Sequence, residues 1–544
     1  MNNQNQFNQF VIACNRDNDK VQLAGIQQKW KRPMMIRTTG EKLKLPPSVT
    51  LVSQCTASKE ERNAAYMKAK SEGYTICGEV MAPFALQEFY CFQKEITRRE
   101  PLLITVDSIT SGTEIVELKN SKSSVRVKNS ERIKFGTDEL LEGIKCAINA
   151  RLFARNASTY TFKMLNPQIN QSARDALHLF MYTRKPKAKI VLQSPGTGYR
   201  YEFSIRRKEY EELLKKPMEK IAKTVKKFAE QHLEEELKQC KILLGGEIFA
   251  SEEAVRFLKE ELEDYRIYHY KAKEAVVLGA AVLCKEMMVD NGKYDIKEEN
   301  CCYISEKMGA IRSLNQTQRE VYYNVLDALL TGKEKFQMDD VKILPYESIN
   351  VLEKDFPQTE LLLEYSSSYF TDKLSVTLHY KDKGRELLKE VENVSDKILK
   401  ECVREGLSDK EVFENIYNYM CKHYCYQTEK DSEGNYPAYS YSITALLKNG
   451  VCKGYSLILV YLLGKIQVPV TYIVGHAGTS AFNGESLHAW NLLESTTGVT
   501  HVDLTWDLGT HIKKYLYLDD KSIQARTHFW DRSEQPAACP VSGM

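Results

Sequence analysis

The chain has 544 residues, with 76 Lys and Arg against 73 Asp and Glu, a net charge of +3. That length exceeds what one hydrophobic core serves, so three or four domains are expected, and the near balance of charge argues against a nucleic-acid or polyacidic partner. No run of ~18 apolar residues occurs, so no membrane span is expected; the polar start Met1-Asn2-Asn3-Gln4-Asn5-Gln6 has no apolar signal core behind it, and 14 cysteines scattered without a disulfide framework fit a reducing cytoplasm.

Residues 1–44 form a loosely patterned N-terminal segment in which Phe10-Val11-Ile12-Ala13-Cys14 is a strand. From Ser48 an α/β alternation begins: a strand over Val49 to Ser53, then a capping box, Ser58-Lys59-Glu60-Glu61, opening a helix that runs to Gly73. Tyr74 to Val80 is a second strand, Ala82 to Gln93 a helix, and Leu102 to Val106 a buried strand ending in Asp107. The loop Ser108 to Thr113 and a return strand, Glu114 to Leu118, follow; a small-residue turn after a strand and an Asp can cradle a phosphate with backbone N–H groups, although such a loop is more often a plain hairpin. Glu209 to Gln239 is a long charged helix with Pro217 as a kink or break and Ile221, Val225, Phe228 and Ala229 as its apolar stripe. Lys241 to Gly246 is a strand ending in the pair Gly245-Gly246, Ser251-Glu252-Glu253 opens a helix to Tyr265, and Glu274 to Lys285 is a helix whose Gly279-Ala280-Ala281 permits close packing.

In order and spacing, residues 45–287 resemble a degenerate, truncated nucleotide-binding domain of the seventy-kilodalton heat-shock chaperones, in the actin-like ATPase superfamily. Val49 to Gln93 resembles the stretch before that family's second phosphate loop, and Asp107 to Thr113 stands where that loop belongs. Tyr201 to Glu212 resembles a later helix, Ile242 to Gly246 the adenosine loop, and Glu274 to Ala281 the closing helix. The resemblance makes Asp107, Gly112, Thr113, Gly245 and Gly246 degenerate nucleotide-site positions. The departures outweigh it. Residues 1–45 hold no first phosphate loop, the second has Ser108, Ile109, Thr110 and Ser111 in place of glycines, and Glu247 replaces a small polar residue, where an inward carboxylate would repel phosphates. Hydrolysis needs phosphates and metal clamped from both sides, so the expectation is a pseudo-ATPase without cofactor.

Residues 288–405 are read as a linker and a bracing domain: a polar link to about residue 310 with a turn at Asn291-Gly292, a helix over Leu314 to Leu330 carrying Val321, Val325, Leu326 and Leu329, a strand over Leu374 to Tyr380 and a helix over Gly384 to Glu405. The domain 406–544 opens on a second capping box, Ser408-Asp409-Lys410-Glu411, with a helix to Met420. Thr428 to Pro437 reads as a flexible loop and a lid. Cys301-Cys302 and Cys421/Cys425 have no clustered partners at zinc spacing, so no metal site is expected.

Val451 to Asp507 carries the chemistry. Cys452 stands where a loop becomes a helix, between Gly450 and the apolar run Ser456 to Leu463 that Gly464 stops. A Cys in the first turn feels the positive end of the helix dipole, which favours the nucleophilic thiolate, and Gly454 leaves room beside it for a substrate backbone. Val468 to Val474, Ser486 to Leu493 and Thr500 to Thr505 read as strands, the last two joined by the turn-like Glu494 to Gly498. That hairpin sets His488 and Asp503 side by side, an imidazole to take the thiol proton and a carboxylate to orient it, with Trp490 and Trp506 as walls of the site. The backbone N–H of Cys452 is one oxyanion donor; Tyr439 and Tyr441 are candidates for the second.

Cys452-Lys453-Gly454-Tyr455, His488-Ala489-Trp490-Asn491 and Asp503-Leu504-Thr505-Trp506-Asp507 resemble the bacterial and archaeal form of the transglutaminase-like superfamily, over roughly Val412 to Asp531. The resemblance implies a papain-like α+β domain with Cys452 as nucleophile, His488 as general base and acid, and Asp503 as orienting carboxylate. It implies Gly454, Tyr455, Trp490 and Trp506 as substrate-binding neighbours, and acyl transfer at an amide of a protein or peptide, ending on water or on an amine. His528 and Trp530 near the end could line the cleft, His528 reading as surface or structural. The alternatives are a non-catalytic protein-binding scaffold and a nucleotide-regulated chaperone-like protein.

Overall fold

The computed structural model describes residues 4–13, 22–37, 49–120, 125–155, 157–195, 198–232, 239–286, 294–297, 301–337, 345–364, 371–372, 375–478, 487–510 and 512–538. Two compact units form, one from residues 6–27 and 33–295, the other from 1–5, 28–32 and 296–544. Cys14, the turn at Asn291-Gly292 and Ser486 lie outside the described residues.

Among its described residues the first unit has two large sheets and a two-stranded hairpin. β1 (Gln4–Ala13), β2 (Gln22–Gln27), β3 (Arg32–Ile36), β4 (Val49–Ser53) and β5 (Ile76–Met81) lie in the order β3-β2-β1-β4-β5, with β4 parallel to both β1 and β5. Between β4 and β5 runs α1 (Lys59–Ser71), started by the expected capping box: Ser58 Oγ accepts the Glu61 N–H at 3.2 Å while Glu61 Oε2 accepts the Ser58 N–H at 2.7 Å. α2 (Ala82–Phe92) follows β5 directly.

The second sheet contains β6 (Leu103–Ile109), β7 (Gly112–Asn120) and β8 (Val125–Ile133). The expected loop over Ser108 to Thr113 is instead a tight hairpin. Asp107 pairs with Glu114, Ser108 with Thr113 and Ile109 with Gly112, leaving only Thr110 and Ser111 to turn. Those strand residues commit their backbone to the ladder, so the segment lacks the open run of N–H groups a phosphate cradle requires.

α3 (Thr137–Phe153) and α4 (Thr159–Tyr182) precede the hairpin of β9 (Lys187–Gln193) and β10 (Arg200–Arg206). Tyr201 to Arg206 is therefore strand, not the start of the helix that the chaperone resemblance placed there. Tyr201, Phe203 and Ile205 are buried at alternate positions, the period of a strand. The helix proper, α5 (Arg207–Ala229), continues through Pro217 and buries Ile221, Val225, Phe228 and Ala229 as expected. β11 (Lys241–Gly246), α6 (Glu252–Glu261), β12 (Arg266–Tyr268) and α7 (Ala272–Glu286) complete this part, with the sheet in the order β12-β11-β6-β7-β8; β13 (Tyr294–Lys297) pairs with β1. A Cβ at Gly279 of α7 would stand 1.8 Å from the Ala85 carbonyl of α2, so the small-residue run does serve a backbone-close helix crossing.

In the second unit, α8 (Gln316–Thr331), β14 (Lys335–Gln337), α9 (Pro345–Asp355), α10 (Gln358–Leu362), β15 (Thr371–Asp372) and β16 (Ser375–Thr377) surround a core that includes Val321, Val325, Leu326 and Leu329. The stretch read as a polar link is partly interior: Cys301 and Met308 are buried. α11 (Gly384–Cys402) and α12 (Asp409–His423) follow, then two short 3₁₀ turns, Ala438–Tyr441 and Ile443–Leu447. α13 (Cys452–Lys465) packs on an antiparallel sheet of β17 (Val470–Ala477), β18 (Leu487–Ser495), β19 (Gly498–Val502) and β20 (His528–Phe529), ordered β19-β18-β17-β20. One-turn α14 (Leu504–Asp507) and α15 (Asp520–Ala525) close the unit. Among the described residues, no helix is long and apolar enough to cross a membrane.

Candidate active site

Cys452 is the first residue of α13, after Val451 in extended conformation. The first N–H groups of a helix have no partner within it, so the thiol sits in a field of unsatisfied donors. Residues Tyr455 to Leu463 behind it are buried, which anchors the helix in the core. His488 lies in β18 opposite Gly475 of β17. Asn491, three residues on, donates to the carbonyls of Ser456 in α13 at 3.0 Å and Thr471 in β17 at 3.3 Å, tying the thiol's helix to the imidazole's strand.

Asp503 is not on a strand as the hairpin reading had it. β19 ends at Val502, and Asp503 caps α14: its Oδ1 accepts the Thr505 N–H at 3.1 Å and the Thr505 hydroxyl at 2.5 Å. The motif's second acid, Asp507, is structural: it accepts the N–H groups of Lys514 and Tyr515 at 2.9 and 3.0 Å and the Tyr417 hydroxyl at 2.8 Å. Asp503 Oδ2 is left for the imidazoles, with His488 Nε2 at 2.6 Å and His528 Nε2 at 3.0 Å.

The three residues are thus in line. His488 gives Nε2 to Asp503 and is also hydrogen-bonded to the Cys452 thiol. Burial disfavours charge on both Cys452 and His488, but their bonds outweigh it. The thiol is held below its ordinary value by the His488 bond and charge and by the N–H groups of Ala489 and Lys453; His488 is raised to about 9 by Asp503 and then by Cys452. Asp503, despite full burial, is held well below the usual carboxylate range by its imidazole and Thr505 donors. Both shifts run in the same direction, favouring thiolate on Cys452 and imidazolium on His488.

Residues 396–503 match the family model of the transglutaminase-like superfamily. No curated protein matches the chain.

Around Cys452, His488 and Asp503 the other expected residues divide. Trp506 is half-buried and flanks the His488 ring at 5.5 Å between centroids. Trp490 is fully buried, stacked on His488 at 6.0 Å, and cannot touch a substrate. It is a backing residue: its indole N–H donates to His501 Nδ1 at 3.0 Å, and His501 Nε2 faces Asp520 Oδ1 at 3.0 Å. Tyr455 is also buried, its hydroxyl donating to the Cys425 carbonyl at 2.5 Å, so it braces the helix instead of lining a cleft. Gly454 makes no room for substrate. A Cβ there would lie 2.2 Å from the Ser440 carbonyl, so the missing side chain lets the 3₁₀ turn approach the helix.

His528 is not on the surface. It is fully buried; Nδ1 faces the Arg526 carbonyl at 3.0 Å and Nε2 faces Asp503. No local pattern marks it, because the contact spans 25 residues. His488, Asp503 and His528 bring ligand atoms within 4.8 Å of one another, a set able to hold a cation, but the carboxylate oxygens here are taken by imidazole and Thr505 donors.

The nucleotide-site positions of the first unit lie outside the match. Asp107 is buried, accepts Gln54 Nε2 at 2.7 Å, and is raised to about 6 by burial and the Glu114 charge. Thr113 is buried, its hydroxyl donating to the Phe135 carbonyl at 2.7 Å, and a Cβ at Gly112 would meet the Ile133 carbonyl at 3.0 Å. A Cβ at Gly245 would lie 2.9 Å from Asp107 Oδ1 and one at Gly246 1.9 Å from the Ser108 carbonyl, so both glycines serve the close pairing of β11 with β6. Glu247 turns to Lys273 Nζ and the Tyr182 hydroxyl, each at 3.1 Å.

Proposed function

We propose that the transglutaminase-like domain transfers acyl groups at amide bonds through Cys452, with peptide or isopeptide hydrolysis the favoured outcome. The observation that carries this reading is the relay from the Cys452 thiol through His488 to Asp503, whose contacts lower the thiol and raise the imidazole. The thiolate attacks the carbonyl carbon, His488 delivers its proton to the leaving amine, and the S-acyl group passes to water or to a second amine. Asp503 keeps the imidazole oriented and stabilises its charge.

For the first unit we retain the chaperone-like reading as a recruitment module for a protein partner or substrate, without ATP hydrolysis. Supporting it are the parallel core strands β4, β5, β6 and β11 with the α2/α7 crossing. The hairpin in place of a phosphate loop argues against hydrolysis.

The test is covalent. Full-length protein is incubated with a cell lysate, quenched in acid, and digested for mass spectrometry of the Cys452 peptide. The expected result is a hydroxylamine-labile acyl adduct on Cys452, absent from Cys452→Ala and from His488→Ala. Substrate cleavage that persists undiminished in Cys452→Ala would end the reading.

A further inference from the structure

The acyl-transfer reading leaves one group unassigned, the second donor to the oxyanion. Tyr439 and Tyr441 do not fill that role. Tyr439 lies under Lys448 Nζ at 4.8 Å from its ring, and Tyr441 packs edge-on against Tyr436 at 6.4 Å. Tyr436 in turn packs edge-on against Tyr426 at 6.2 Å, and it is Tyr426 that reaches the sulfur.

Tyr426 belongs to a short extended segment fixed to the loop and helix that carry Cys452. It bridges in parallel with Gly450. On one side the Gln427 N–H donates to the Gly450 carbonyl at 2.8 Å; on the other the Cys425 N–H donates to Asn449 Oδ1 at 3.2 Å, and the Cys425 carbonyl accepts the Tyr455 hydroxyl. Both flanking residues being pinned, the ring between them has little freedom to leave. Its hydroxyl faces Cys452 and interacts with both the side chain and the backbone N–H there. The ring is 36% exposed, so it borders the open side of the site. Burial and the adjacent thiol push the phenol above its ordinary value, so it stays protonated wherever the ion pair exists.

We propose that Tyr426 is a catalytic residue, the second oxyanion donor beside the Cys452 N–H, and that its hydroxyl holds the oxyanion position in the resting site. The assignment rests on the acyl-transfer reading. In the resting state the hydroxyl accepts from the Cys452 N–H and donates to the thiolate. When the sulfur attacks, its lone pair forms the S–C bond and the carbonyl π pair moves to oxygen. The sulfur no longer needs a donor, and the Tyr426 O–H turns to the new oxyanion without giving up its proton. On collapse the C=O bond reforms, the C–N bond breaks, and the amine leaves with the proton from His488.

The test compares two reagents on the full chain. Iodoacetamide alkylates a thiolate by displacing iodide at a saturated carbon and forms no oxyanion; p-nitrophenyl acetate acylates it through a tetrahedral oxyanion. Rates at Cys452 are taken on the high-pH plateau, where the thiol is fully ionised in each variant. For Tyr426→Phe, which keeps the ring against Tyr436, acetylation is expected to fall ~10²-fold, while alkylation changes by less than about three-fold and reports an intact thiolate site. Acetylation at the wild-type rate or faster would make the hydroxyl a plug or a bystander and overturn the assignment alone. Equal loss in both reactions would reduce Tyr426 to a support for the thiol and overturn it as well. Wild-type protein that alkylates at Cys452 but does not acetylate there removes the acyl-transfer reading, and this assignment with it.

Discussion

Asp503 carries more of the site than its place at the end of the relay suggests. Its Oδ1 is saturated by Thr505, so Oδ2 alone holds both His488 and His528. The hydrogen bond that His488 donates to Asp503 is the largest influence raising His488, to about 9. Replacing Asp503 with Asn removes the charge and offers His488 a weaker acceptor or an amide donor. His488 then drops toward or below the ~6.5 of a free imidazole, and the thiol, having lost its imidazolium, rises toward ~8.5. Iodoacetamide alkylation of wild-type Cys452 is expected to persist to lower pH than that of a free thiol. In Asp503→Asn it should fall roughly ten- to hundred-fold at pH ~7 and recover only as the free thiol ionises. A neutral-pH rate equal to wild type would show that the carboxylate does not set the ion pair. That Cys452, His488 and Asp503 lie together was legible in the sequence because each sits in a short, unusual context: a Cys at a loop-to-helix junction, and a His and an Asp each followed closely by Trp. Tyr426, His528 and the His501–Asp520 pair were not, because each reaches the site from a segment whose own pattern says nothing about where it lands.

At the scale of elements, α13 holds a pair of glycines that look alike in sequence and differ in consequence. Gly464 was expected to stop the helix. Instead α13 continues to Lys465, and the left-handed residue that turns the chain is Gln467, with φ 57°. Nothing lies within 4 Å of a Cβ built on Gly464, whereas a Cβ on Gly454 would stand 2.2 Å from the Ser440 carbonyl, which already accepts the Val451 N–H at 3.0 Å. Gly464→Ala should therefore stabilise the protein by about 0.5–1 kcal/mol through reduced unfolded-state entropy and better helix propensity. Gly454→Ala should cost about 1–3 kcal/mol by overpacking and, by pushing the 3₁₀ turn away from the first turn of α13, slow alkylation of Cys452. Denaturant titration of both variants checks the two signs; stabilisation by both would mean that the turn yields freely. The resemblance that placed Tyr201 to Arg206 in a helix teaches the same lesson, since the alternate burial of Tyr201, Phe203 and Ile205 is that of a strand paired with β9.

At the scale of the whole molecule, the first unit holds a buried acidic pair whose desolvation the nearby Arg132 charge does not offset. Asp107 and Glu114 are paired across β6 and β7, both are buried, and burial raises both. Gln54 Nε2 satisfies one oxygen of Asp107, and the Thr56 N–H one oxygen of Glu114; Glu114 Oε2, Ser108 Oγ and Thr110 Oγ1 are buried without partners. The folded-state value of Asp107 is about 6, above its unfolded value of ~3.9. A raised carboxyl favours the fold while it stays protonated. Its contribution is complete below the unfolded value and is lost as pH rises through about 6. At neutral pH the ionised Asp107 thus weakens the unit, by an amount on the order of 3 kcal/mol for a displacement of roughly two pH units. Asp107→Asn keeps an oxygen for Gln54, has no charge to set against Glu114, and should raise the stability of the protein at pH ~7.5 while flattening its dependence on pH between ~4 and ~6. Thermal unfolding followed across that range measures both. A loss of stability at pH ~7.5 would mean that the ionised carboxylate is worth keeping, as a counter-charge to something bound beside it, and would return the first unit from a recruitment surface to a ligand site.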